Sequence, residues 1–163
     1  MSAPTDDTAP LFRRLCAWLD GQGAVYRTVR HEPTYTSEES ARARGEDVAV
    51  GGKAIVLKTD ETFRIVVLSA ACKVDSKKVK ELFGVKNVRF ATSEELLALT
   101  GLVPGSVPPF GRPVLDLELT VDASVFRNDR IAFNAGSLTD SVIMSIGEYR
   151  RVTGAVPAEL SRT

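Results

Sequence analysis

A mixed α/β fold of α+β character is predicted by three observations. Short segments of 3.6-residue periodicity alternate with short β-branched runs along the 163 residues. Two of those runs, Lys53–Lys58 and Phe63–Leu68, flank the polar connection Thr59–Thr62 and read as an antiparallel hairpin. A hydrophobic content of 44% at this length supplies one ordinary core and little room for a second. A single domain over 9–163 is therefore expected, after a polar, Pro-containing segment 1–8 that is expected to be mobile.

Leu11, Leu15, Trp18 and Leu19 fall on one face of a helix starting near Ala9, with Gly21 or Gly23 as its stop. Val25–Val29 reads as a strand. Thr36 or Ser37, with Glu39 downstream, starts a short helix through Arg44. After the hairpin, Asp75 or Ser76 caps a helix reaching Phe83 and ended by Gly84. Val88 and Phe90 suit a short strand, and Ser93 caps a helix through Leu99 that ends at Gly101. Val114–Val121, Arg130–Asn134 and Ser141–Ser145 read as strands, and a short helix over Glu148–Val152 closes the chain.

Between the fourth helix and the strand at Val114 lies Gly101-Leu-Val-Pro-Gly-Ser-Val-Pro-Pro-Phe-Gly111. Proline lacks an N–H and fixes φ, while glycine admits close backbone approach, so this run builds a rigid irregular loop whose amides can face a ligand. Read locally, a Pro-rich surface turn remains open. Lys53 follows two glycines at the entrance of an apolar strand, where burial would depress its pKa and an anionic partner would hold the charge. A snorkelling lysine at a strand end is the plainer alternative.

Several activities are excluded. Gly52-Lys53-Ala54 is no phosphate-binding P-loop, because position 47 is Asp and position 54 is Ala. Gly21-Gln22-Gly23 runs on to Tyr26 where a dinucleotide-binding motif needs its third glycine, and no Gly-x-Ser-x-Gly elbow occurs. Cys16 and Cys72 form no Cys-x-x-Cys pair, and the one histidine, His31, completes no zinc cluster, so neither metal nor cofactor is expected. Unpaired thiols and the lack of a signal peptide or membrane span set a cytoplasmic expectation. Lys+Arg and Asp+Glu each total 21, so bulk charge does not draw the chain to a polyanion. A local patch at Lys73, Lys77, Lys78, Lys80, Lys86 and Arg89, partly offset by Asp75 and Glu81, is the candidate for RNA phosphates or simply a solvated face.

An ordered set of motifs carries a resemblance. His31-Glu32-Pro33-Thr34 with Ser37-Glu38-Glu39, Gly52-Lys53-Ala54, Lys73-Val74-Asp75, Thr100-Gly101, Gly105–Gly111 and Phe133-Asn134-Ala135-Gly136 span nearly the whole chain. In that order they resemble the YbaK/prolyl-tRNA synthetase-associated aminoacyl-tRNA editing domains, freestanding branch. The Phe133–Gly136 segment is similar to the branch that clears tRNAs carrying small or hydroxylated residues. The resemblance implies a largely antiparallel, curved sheet flanked by helices and a trans-editing deacylase that hydrolyses mischarged aminoacyl-tRNA, with a synthetase as a further partner and no membrane.

Editing is needed because a binding pocket separates residues differing by a methylene by only about 1–3 kcal/mol. On this reading Lys53 binds or polarises the terminal adenosine end, and amides of the loop at Gly105, Ser106 and Val107 stabilise the developing oxyanion. His31, Pro109, Phe110, Gly111, Asn134, Ala135 and Gly136 are the expected substrate walls, and Lys73, Lys77 and Lys78 the expected tRNA contacts. His31 equally suits a loop-orienting role. A non-catalytic module binding tRNA ends or aminoacyl-adenylates is the alternative.

Overall fold

The computed structural model describes residues 10–163, so the expectation for 1–8 and a helix start at Ala9 lie outside the described residues. Helix α1 (Pro10–Gly21) buries Leu11, Leu15 and Leu19 on one face, with Trp18 half-buried beside them. Burying each leucine is worth about 1.5–3 kcal/mol, which fixes the helix against the sheets. Strand β1 (Tyr26–Arg30) follows, then α2 (Ser37–Arg44), whose Thr36 cap accepts from the Glu39 N–H and whose Gly45 closes it at φ 72°.

Strands β2 (Gly52–Thr59) and β3 (Thr62–Ser69) form the expected antiparallel hairpin, in register from Gly52 opposite Ser69 to Thr59 opposite Thr62. Ile65–Leu68 are fully buried, which is why that run is continuously apolar rather than alternating. Next come β4 (Lys73–Val74), α3 (Ser76–Phe83), β5 (Val88–Phe90) and α4 (Ser93–Thr100). Asp75 caps α3 by accepting from the Lys77 and Lys78 N–H groups. Thr92, not Ser93, caps α4, because only that register puts a glutamate, Glu95, three residues on to complete a reciprocal capping box.

The strand expected over Val114–Val121 is shorter: β6 covers Glu118–Asp122. Val114 and Leu115 both donate to the Gly111 carbonyl, at 2.9 and 3.0 Å, and form a turn. Val114, Leu115 and Leu117 are nonetheless buried, so the apolar run reflects core packing rather than a sheet ladder. Strands β7 (Arg130–Asn134) and β8 (Asp140–Ser145), helix α5 (Ile146–Thr153) and the two-residue strands β9 (Pro157–Ala158) and β10 (Ser161–Arg162) complete the order.

Five strands pair as β5-β2-β3-β6-β9, with β3–β6 and β6–β9 parallel and the rest antiparallel. A second, antiparallel sheet is ordered β1-β8-β7. The two sheets meet where Gly51 bridges Ala132. At this seam a Cβ on Gly52 would overlap the Ile131 side chain, so the glycine permits the approach that sets Lys53 beside β7.

Candidate active site

The seam opens into a cleft of about 260 Å³. Three stretches wall it: Thr34–Ser37 with Ser40 and Arg44 from α2 and its lead-in, Gly51–Ile55 with Ala70 from the hairpin, and Gly105, Val107 and Asn134 from the loop and the end of β7. Lys53, Gly105, Val107 and Asn134, expected from sequence to share a site, do line one cleft. Lys53 is half-buried and its Nζ donates to the Cys72 carbonyl at 2.9 Å. Desolvation pushes its pKa below the usual lysine value, and nearby Lys73 adds to this, while Cys72 and Glu38 oppose it. One proton of the ammonium is thus committed, and the other two have no partner among the described residues.

The loop is pinned peptide by peptide. Gly105, at φ 89°, offers its carbonyl to Asn134 Nδ2 at 2.8 Å. The Ser106 N–H is spent on the Val103 carbonyl at 3.1 Å, and its hydroxyl bonds the same oxygen at 2.8 Å. The Ser106 carbonyl accepts from the Gly136 N–H at 2.9 Å. In a trans peptide the N–H points opposite to the C=O, so that bond aims the Val107 N–H away from Gly136. Among the described residues neither the Gly105 nor the Val107 N–H has a hydrogen-bond partner. These two amides, and not that of Ser106, are available to a ligand.

The expected wall at Pro109, Phe110 and Gly111 lies elsewhere. The Pro109 carbonyl accepts from the buried Tyr149 hydroxyl at 2.7 Å. Phe110 is 1% exposed and packs edge-on against Trp18, Phe133 and Tyr149, with ring centroids 5.4–5.7 Å apart. Aromatic packing of this kind makes it the loop's anchor in the core. Phe110 and Gly111 border a different cleft, of about 300 Å³, with Trp18 and Leu119. Ala135 is fully buried, and Gly136 turns at φ 80° against Leu11, so both shape the chain behind the loop.

His31 does not line the Lys53 cleft. Its Nδ1 faces the Glu32 carbonyl at 2.8 Å and must carry a proton there, because a carbonyl only accepts. Its Nε2 meets Ser141 Oγ at 2.8 Å. That Ser-His pair is not a nucleophile and base, since Ser141 has no exposed surface and also bonds Arg44 and Asn134. Lys73 and Lys77 are exposed, whereas Lys78 Nζ is tied to the Ser161 carbonyl at 2.8 Å.

Arg44, at the end of α2, also borders the cleft. Its guanidinium donates to Ser141 Oγ at 2.9 Å, Asn134 Oδ1 at 3.0 Å and the Ala132 carbonyl at 3.3 Å. Burial pushes its pKa down to about 10, with Glu46 partly countering. The sequence signal for it is that α2, Ser-Glu-Glu-Ser-Ala-Arg-Ala-Arg, has no large apolar residue to bury, so polar contacts must hold it. Among the described residues no group of three or more His, Cys, Asp or Glu side chains is placed to hold a metal.

The family model described as "Aminoacyl-tRNA editing domain" matches residues 31–152. The chain belongs to the aminoacyl-tRNA editing domain family. It is 34% identical over 157 residues to the multifunctional Ser/Thr-tRNA deacylase ProXp-y of Escherichia coli K12, covering 93% of each protein. It is 32% identical over 100 residues to a proline–tRNA ligase of Shouchella clausii, covering 61% of this chain and 17% of the ligase. The crystal structure of a candidate trans-editing enzyme for prolyl-tRNA synthetase superposes with a TM-score of 0.82 at 27% identity, over 95% of this chain and 99% of that one. The mixed, mostly antiparallel architecture expected from sequence is thereby borne out.

Proposed function

We propose that this editing domain acts in trans as an aminoacyl-tRNA deacylase on tRNAs mischarged with a small amino acid, with serine and threonine first among the substrates. One observation carries the reading: Lys53, Gly105 and Val107 border the same small cleft, and among the described residues the Gly105 and Val107 amides have no partner. The similarity to a Ser/Thr-tRNA deacylase supports the reaction and the amino-acid class.

An aminoacyl ester is already activated, so positioning and charge stabilisation suffice. Water attacks the ester carbonyl carbon, and the negative charge that develops on the carbonyl oxygen is held by the two amides. The bond to the ribose oxygen then breaks, that oxygen takes up a proton, and free amino acid and tRNA depart. The ribose hydroxyl beside the ester is placed to guide the water. Lys53 holds the terminal adenosine end and adds its field to the developing charge. A low-dielectric cleft makes such preorganised donors worth about 2.7–4 kcal/mol each. Thr34 and Ser40, hydrogen-bonded to one another at 2.8 Å on the cleft wall, suit a hydroxylated side chain. Lys73 and Lys77 are available for acceptor-stem phosphates, and a synthetase is the natural second partner in trans.

The test is release of amino acid from tRNAs charged with serine, threonine, alanine, cysteine and proline. The proposal expects fast release of serine or threonine and slow release of proline. Tight binding of charged tRNA without release would establish a non-catalytic module instead.

A further inference from the structure

Arg44 donates to three acceptors at once, Ser141 Oγ, Asn134 Oδ1 and the Ala132 carbonyl. Asn134 in turn donates from Nδ2 to the Gly105 carbonyl at 2.8 Å. The two ends of an asparagine amide have nearly the same shape, so sterics alone do not choose between its two orientations. Flipped, Oδ1 would face the Gly105 oxygen and Nδ2 would face the guanidinium, which sets acceptor against acceptor and donor against donor. The cation, together with the Ser141 hydroxyl that it engages and that donates to the same Oδ1 at 3.2 Å, therefore decides which way Asn134 points, and Asn134 decides how the Gly105 peptide is held.

No carboxylate forms a salt bridge with Arg44 among the described residues. Burying a guanidinium on neutral acceptors alone is a cost in stability. Its planar fork satisfies several fixed acceptors at once, which the single ammonium of a lysine does not reproduce.

We infer that Arg44 is a positioning residue for deacylation: its guanidinium fixes the Asn134 amide and, through the Asn134–Gly105 bond, sets the loop whose Gly105 and Val107 amides meet the ester carbonyl. This rests on the editing reading for its consequence in rate, but not for the geometry itself. Asn134, expected from sequence to be a substrate wall, is in this account the link between the cation and the loop.

The experiment compares Arg44→Met, Arg44→Lys and Asn134→Ala in single-turnover and steady-state deacylation, together with backbone amide NMR of the free protein. Misplacing catalytic groups by about 1 Å can cost about a hundredfold, so Arg44→Met is expected to lower kcat about 10- to 100-fold with KM changed less than about threefold. Arg44→Lys falls as far, despite keeping its charge. Combining Arg44→Met with Asn134→Ala is no worse than Asn134→Ala alone, because both break one chain of contacts. Without any substrate, Arg44→Met shifts the Gly105 and Val107 amide resonances.

A raised KM at unchanged kcat would place Arg44 on the substrate itself and overturn the inference. So would full kcat in Arg44→Lys, or unmoved Gly105 and Val107 resonances. Should Arg44→Met not fold, Ser141→Ala removes one acceptor of the fork and must still move those resonances. Should the wild-type protein release no amino acid from any tRNA, the editing reading fails, while the resonances still judge the clamp.

Discussion

Alanine at Gly105 and alanine at Gly101 impose nearly the same backbone strain at two places on one loop. Gly105 sits at φ 89° and Gly101 at φ 76°, where an L residue is disfavoured by about 1–2 kcal/mol. Neither site is crowded: a Cβ on Gly105 would meet only Leu138 Cδ2, at 3.6 Å, and one on Gly101 would meet nothing within 4 Å. The restricted unfolded chain returns about 0.4–1 kcal/mol, leaving a net loss near 1 kcal/mol for either variant. For a chain of this size that lowers Tm by about 2–4 °C. Activity should separate them. Gly101 ends α4 through its N–H to the Leu97 carbonyl, away from the cleft, and Gly101→Ala keeps wild-type kcat. Gly105→Ala relaxes its strain by turning the peptide that Asn134 holds, displaces the Val107 amide, and lowers kcat about 100-fold. Thermal melts and single-turnover release of serine from charged tRNA read both quantities. Equal kcat in the two variants at equal Tm loss would refute the assignment of these amides to the reacting carbonyl.

Three more outcomes follow from the same structure. Burial lowers the Lys53 pKa, so deacylation that needs its ammonium is present below that depressed pKa and lost above it, at a pH lower than an ordinary lysine near 10.4 would give; the rate-pH profile, corrected for spontaneous ester loss, checks this. Stability runs the other way through that window, because there the unfolded chain binds more protons than the folded one. Burial pushes the Asp122 pKa up, but hydrogen bonds from Ser124, Ser161 and the Leu160 N–H outweigh it and leave the pKa lowered. Its contribution is present above the unfolded carboxylate pKa near 3.9 and disappears as pH falls through the folded value, so Asp122→Asn destabilises at pH 7 and much less in strong acid, as denaturant titrations at the two pH values would read. Lys73→Ala and Lys77→Ala each weaken tRNA binding and lower the slope of log affinity against log salt by about 0.7–0.9, read by binding titrations over a salt series.

The legible parts of the fold were those decided by neighbours in sequence. The β2–β3 hairpin, the Thr36 and Asp75 caps and the Gly84 and Gly101 stops depend on local backbone chemistry, and the structure has them. Lys53 and the Gly105 loop were equally visible, because a lysine after two glycines and a run of Gly and Pro are unusual wherever they occur. What was hidden depends on partners far along the chain. Arg44 meets Ser141 across 97 residues and Asn134 across 90, and no spacing rule pairs them. Which way Phe110 faces is decided by Trp18, Phe133 and Tyr149, none of them near it in sequence. Val114–Leu117 read as strand because burial leaves the same apolar run whether the backbone ladders or turns.

Lys53→Met, assayed for deacylation and thermal stability on one preparation, tests most directly whether the cleft is the catalytic site. Removing a half-buried ammonium relieves its desolvation, so Tm is expected to hold or rise while kcat on the preferred mischarged tRNA falls about 100- to 1,000-fold. A folded variant that keeps most of its activity would contradict the account.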